Sequence, residues 1–399
     1  MTAKGASGVL DRAAWVLLWV LVFSIPWEKS VWVPGIGTLT HVIGICAFAA
    51  GFLAVASSRS FRPLNAAMVV AAGFVLWSAL TFFWSVDPPA TVLQAFRLAE
   101  LWAMWWLIWS LCREPRRQDQ LLEAYVWGAV AASGWAFIRY LHHEQTYWRR
   151  YAAAGFDPND FGLILALAAP IALYLALRST GWKRWCYSAA VLVMLAAILL
   201  TASRTALIAT FVAFTFGFWT WRRADVSQRI AAVVLMVLLA LGVFELAPAA
   251  SRERLDTLPQ ELAGGTFHGR TRIWKAGLFF FLDHPVLGAG SGAYPEAVRP
   301  ALGVPGVPGI RNVAHNTFLS VLVECGVAGF LIYGLLLALL ALYVWNMRPV
   351  ERALWAVMLA TWAVGVSTLT WEHYKPTWLI MALIATEWAW SYWPASRNA

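Results

Sequence analysis

Phe161-Gly-Leu-Ile-Leu-Ala-Leu-Ala-Ala-Pro-Ile-Ala-Leu-Tyr-Leu-Ala-Leu177 contains no charged residue and is apolar all round. About 20 such residues in a helix match the hydrocarbon core of a bilayer, and a run with no polar face is buried in protein or lipid. Similar runs begin near Ala13, Leu39, Leu64, Val92, Leu121, Trp185, Thr205, Ile230, Val327, Ala353 and Thr377. Composition agrees, because 61% of residues are hydrophobic and 13% charged, against roughly 45–50% and 25% in soluble domains. The expected fold is all-α, a polytopic membrane protein with about 12 transmembrane helices.

Lys4 and Arg12 ahead of the first run resemble the start of a signal peptide, but the run meets Pro26 and Trp27 without a small-residue cleavage site. A retained anchor is therefore expected. Every second short loop is basic: Arg59 with Arg62, Arg113 with Arg116 and Arg117, Arg178 with Lys183 and Arg184, Arg222 with Arg223 and Arg229, and Arg348 with Arg352. Basic loops stay in the cytoplasm, so both termini are expected inside. The net charge of +9 is then a topology signal and an affinity for anionic membrane lipids. Dispersed among loops, it does not form a nucleic-acid stripe. Trp182, Trp185, Trp219 and Trp221 stand at span ends, as an interfacial belt would. Cys46, Cys112, Cys186 and Cys325 fall in spans or at their cytoplasmic ends, where no extracytoplasmic disulfide forms, and none has metal-ligand spacing.

No repeat or low-complexity linker divides the chain, so 1–399 reads as one membrane domain. Its one long polar insertion, 248–314, falls outside by the topology and is expected as a periplasmic loop. It holds a helical patch from Ile273 to Leu282 and turn glycines at Gly288, Gly290 and Gly292. Loops this long usually carry function. A second outer loop runs from His142 to Asp160.

The outer side should be poor in cations, yet it holds Arg149, Arg150, Arg204, Arg252, Arg254, Arg270, Arg272, Lys275, Arg299 and Arg311. Long loops escape the charge bias, which accounts for Arg252, Arg254 and Arg299. Arg204 differs, because it occupies a tight turn between two apolar runs, where an ionisable residue marks a site or snorkels to headgroups. Guanidinium groups facing a membrane pocket suit a phosphate or pyrophosphate, which they grip bidentately. Arg97 and Glu100, three apart in the fourth run, either line the same cavity or form an intrahelical pair. All seven histidines fall on the outer side without the spacing of a metal site. His315 stands out, because it and Asn316 open an apolar run, with Glu324 roughly 13 Å further along a helix. A carboxylate so placed needs a partner or a cavity.

His315-Asn316-Thr317-Phe318-Leu319 followed by Glu324-Cys325-Gly326 resembles the His-Asn-x-x-Leu and Glu-x-Gly signature of the O-antigen ligase and polymerase superfamily. Gly269-Arg270-Thr271-Arg272-Ile273-Trp274 and His284-Pro285-Val286-Leu287-Gly288-Ala289-Gly290 are similar to its loop pattern. Thr201 to Ala206 resembles its Ser-Arg turn, and Asp157-Pro158-Asn159-Asp160 its Asn-containing start of a span. The resemblance implies a GT-C-like, metal-independent glycosyltransferase without a cofactor in a bacterial inner membrane. The ligase moves O-antigen glycan from an undecaprenyl-pyrophosphate carrier to a lipid A-core acceptor. By that likeness His315 is catalytic and Arg204 and Arg270 bind pyrophosphate, with Arg272 a further candidate. Arg97, Glu100, Arg149, Arg150, Asn316 and Glu324 are candidates for the same pocket. Polymerase action on the carrier is the near alternative, a lipid-linked sugar flippase the distant one. A flippase would carry mid-membrane charges and related halves, which this chain lacks.

Overall fold

The computed structural model describes residues 3–146, 149–220, 269–303 and 312–392, with a few positions between 226 and 237. Most of the span expected from Ile230 lies outside the described residues, as do Trp221, Arg222, Arg223, Arg252, Arg254, His268, Arg311 and much of the loop 248–314. The described residues are 78% helical. Among the described residues the only strands are Trp32–Val33 and Gly37–Thr38, paired antiparallel.

The helices are α1 (Ala3–Ser24), α2 (Leu39–Ser57), α3 (Ala66–Leu80), α4 (Pro88–Leu111), α5 (Pro115–Leu141), α6 (Pro158–Arg178), α7 (Trp182–Thr201) and α8 (Arg204–Thr220). After them come α9 (Arg270–Asp283), α10 (Tyr294–Leu302), α11 (Thr317–Trp345), α12 (Pro349–Val366) and α13 (Lys375–Tyr392). Seven of those described, namely α1, α2, α3, α5, α6, α7 and α11, are long and apolar enough to cross a membrane. This is an all-α polytopic membrane protein.

Capping sets the starts. The side chains of Thr38, Asn65, Asp87, Asp157 and Asn316 accept first-turn N–H groups of α2, α3, α4, α6 and α11. Proline follows the cap in α4, α5, α6 and α12, where the missing donor costs nothing. The run at Phe161 is the central helix: α6 packs against α5, α7, α8 and α12, and 89% of its most apolar window is buried, against 28–33% in α1, α2 and α3. Small residues admit that closeness. A Cβ on Gly162 would stand 2.5 Å from the Ala206 Cβ, and one on Gly365 2.3 Å from Leu163.

The run expected from Val327 begins ten residues earlier, at Thr317. Gly326, with φ 65° and ψ −174°, breaks α11 into two pieces, and hydropathy detects only the second. The break exposes backbone groups that must find partners. The loop after α9 supplies them: Ala289 N–H donates to the Val323 carbonyl and Gly290 N–H to that of Glu324, each at 2.8 Å, while Val327 N–H donates to Pro285 O at 2.8 Å. Trp77 Nε1 donates to Cys325 O at 2.9 Å. Glu324 itself accepts from the backbone N–H of Gly292 at 2.7 Å and of Tyr294 at 3.3 Å. The His-Pro-x-x-Gly-x-Gly and Glu-x-Gly segments are thus two halves of one joint.

A Cβ on Gly326 would meet the Val286 carbonyl oxygen at 2.1 Å, whereas one on Gly334 meets nothing within 4 Å. Gly326→Ala should therefore lower the unfolding temperature of the purified protein by several degrees, and Gly334→Ala should not. Equal melting of the two variants would contradict this account of the joint.

Candidate active site

The site gathers where α6, α8, α9, α11 and α13 begin and α7 and α12 end. At the first, Asp157 caps α6 and leaves Asn159 and Asp160 at its mouth. Asn159 Oδ1 accepts from Arg150 Nη2 at 2.8 Å and from Ser203 Oγ at 2.9 Å. Arg150, only 3% exposed, also donates through Nε to Thr201 O at 2.7 Å. It thereby holds the α7–α8 turn, in which Ala202 is left-handed, and so sets Arg204 as the first residue of α8.

The segment between α12 and α13 joins this turn to the others. Thr205 and Thr368 hydroxyls lie 2.8 Å apart. Arg270 Nη1 donates to the Thr368 carbonyl at 3.1 Å. The Thr317 hydroxyl donates to Leu369 O at 2.9 Å and accepts from Trp371 N–H at 2.7 Å. Trp274, one turn after Arg270, donates to Ala314 O at 2.7 Å, beside His315. Arg204, Arg270 and His315 are thus each within one or two residues of contacts to 368–371.

Asp160 completes the cluster. It accepts from Trp371 Nε1 and from the Tyr374 hydroxyl, both at 2.9 Å, and lies 3.6 Å from Lys29 Nζ. His315, with φ 46°, sits half-buried among these groups. Burial foremost, and then the Arg270 guanidinium, push its pKa down to about 4 against an opposing pull from Asp160. The imidazole is neutral at pH 7 and able to accept a proton.

The other expected residues lie as follows. Asn316 caps α11 through Leu319 N–H. Glu324 is bound into the joint below the cluster. Arg272 is exposed and donates through Nη2 to Leu302 O at 2.7 Å; two residues from Arg270, it points about 200° away around α9. Arg149 is exposed, and its N–H donates to Gln145 Oε1. Arg97 and Glu100 occupy an exposed face of α4, with Glu100 3.6 Å from His41 of α2.

Residues 189–334 match the family described as O-antigen ligase. Over this segment the chain is similar to the O-antigen ligase superfamily. The match takes in Arg204, Arg270 and His315 and stops before the α12–α13 segment that connects them. The match indicates O-antigen ligase-type function and does not separate ligase from polymerase. No curated protein matches the chain significantly.

Reasoning from sequence missed Lys29, Asp160, Trp371, Glu372 and Tyr374. Glu372 is 3% exposed, accepts from Ser320 Oγ at 3.3 Å and leaves its second carboxylate oxygen buried without a partner. The signal available was the one that exposed Arg204, an ionisable residue at the mouth of an apolar run.

The Thr205–Thr368 contact gives a direct test. Thr205→Cys with Thr368→Cys should form a disulfide in the assembled protein, seen as a mobility shift without reductant that neither single variant shows. Failure of the pair to cross-link under mild oxidation would separate α8 from the α12–α13 segment.

Proposed function

We propose that this protein is an O-antigen ligase, which transfers glycan from undecaprenyl pyrophosphate to a lipid A-core acceptor at the periplasmic face of the inner membrane. What supports this reading is that Thr205, next to Arg204, and Arg270 both contact Thr368, with the Arg270 guanidinium also acting on a neutral His315. It includes twelve spans with both termini cytoplasmic, and residues 248–314 as a periplasmic loop within a single GT-C-like domain.

The leaving diphosphate needs neutralisation more than protonation. Two guanidinium groups fixed in advance supply that where negative charge grows during bond cleavage. His315 takes the proton from the acceptor hydroxyl, and the hydroxyl oxygen attacks the anomeric carbon as the sugar–phosphate bond breaks. One in-line displacement inverts the anomeric centre. Arg150 and Asn159 position Arg204 by holding its turn. Asp160 faces the imidazole and favours the cation formed when it accepts the proton.

With defined lipid-linked donor and purified lipid A-core, His315→Ala and Arg270→Ala should lower transfer at least a hundredfold while the protein remains folded in the membrane. Arg204→Lys should also fail, because a point charge replaces a fork. Near-parent transfer by His315→Ala would remove the base from the mechanism. Glycan extended on its carrier, with none on lipid A-core, would assign the chain to polymerisation.

The pH profile is a separate check. A base whose pKa is depressed stays neutral until pH falls through the depressed value. The acid limb of kcat/KM should lie near pH 4, below the roughly 6.5 of an unperturbed histidine. A limb near 6.5 would contradict the burial of His315 beside Arg270.

A further inference from the structure

Two faces of α9 do different things. Arg270, Trp274 and Gly277 lie along one side and meet Thr368, Ala314 and Tyr294. Arg272, Lys275, Phe279 and Leu282, spaced three, four and three apart, lie along another, and all are exposed. The stripe changes character along its length, with two cations near the end that holds Arg270 and then Phe279 at 63% and Leu282 at 68% exposure. Val286 extends it beyond the helix at 61%.

Where the cationic part meets α10, Thr271, Arg272, Lys275, Ala276, Phe279 and Ala301 line a pocket of about 340 Å³. That is within the range of pockets that hold small ligands. The bond from Arg272 to Leu302 O fixes the guanidinium at its rim and uses one of the group's five donors. A helix face that is merely solvated would be polar throughout. A basic pocket continued by apolar residues, in a stripe of roughly 15 Å from Arg272 to Leu282, instead complements an amphiphile with an anionic head.

We propose that this face docks the phosphorylated glycolipid acceptor from the outer leaflet, with a phosphate on its head sugars between Arg272 and Lys275 and its acyl chains along Phe279, Leu282 and Val286. The inference rests on the transferase reading. It also gives Arg272 a role apart from Arg270: one helix separates the two substrates, with the donor diphosphate on its inner face and the acceptor on its outer one. The acceptor sugar then reaches His315 around the helix N-terminus.

The test measures binding, so its outcome is independent of whether transfer occurs. Purified protein in phosphatidylcholine nanodiscs is titrated with lipid A-core, dephosphorylated lipid A-core, phosphatidylglycerol and undecaprenyl pyrophosphate. Lys275→Glu should weaken lipid A-core at least tenfold and leave undecaprenyl pyrophosphate unchanged. Phe279→Ser, which keeps both cations, should weaken lipid A-core as well. Dephosphorylated lipid A-core should bind parent and Lys275→Glu equally weakly. Equal affinity of parent and Lys275→Glu for lipid A-core would overturn the proposal. So would phosphatidylglycerol binding as tightly as lipid A-core, or a parallel loss of undecaprenyl pyrophosphate.

Discussion

The hydrogen bond from Arg270 to the Thr368 carbonyl, 3.1 Å long, ties the start of α9 to the segment that also holds α8 and α11. A cation near the bilayer is costly unless it is paired or solvated. Here the backbone of the α12–α13 segment receives it, and the neighbouring Thr205 and Thr317 contacts bring Arg204 and His315 to the same place. Residues far apart in the chain are thus drawn together at one place.

The electrostatics of that place follow from its composition. Arginine stays charged under almost any burial, whereas a half-buried imidazole beside it gives up its proton. One kind of group is left to hold an anion and the other to accept a proton. Asp160, held by Trp371 and Tyr374 and close to Lys29, keeps a carboxylate near His315.

Much of this was legible in the chain. Apolar runs announce spans because lipid allows few other backbones. Arg204 and His315 stood out as ionisable residues beside such runs, and Arg270 through the resemblance of its loop segment. Asp160 did not, since its partner Tyr374 lies 214 residues away, and no local pattern encodes that pairing. The start of α11 was read late for a related reason. Hydropathy sees the apolar stretch after Gly326, while the helix before it is capped by Asn316 and completed by backbone bonds from the loop after α9. Arg272 shows the opposite limit: spacing placed it beside Arg270 in the sequence, and the turn of the helix carries it to the other face.

The most direct measurement is native mass spectrometry of the purified protein with undecaprenyl pyrophosphate, using undecaprenol as the control. The account predicts a bound diphosphate lipid that is retained by His315→Ala and lost when Arg204 and Arg270 are both changed to Ala, with no comparable binding of undecaprenol. Undiminished binding by the double arginine variant would contradict the claim that these two side chains hold the diphosphate.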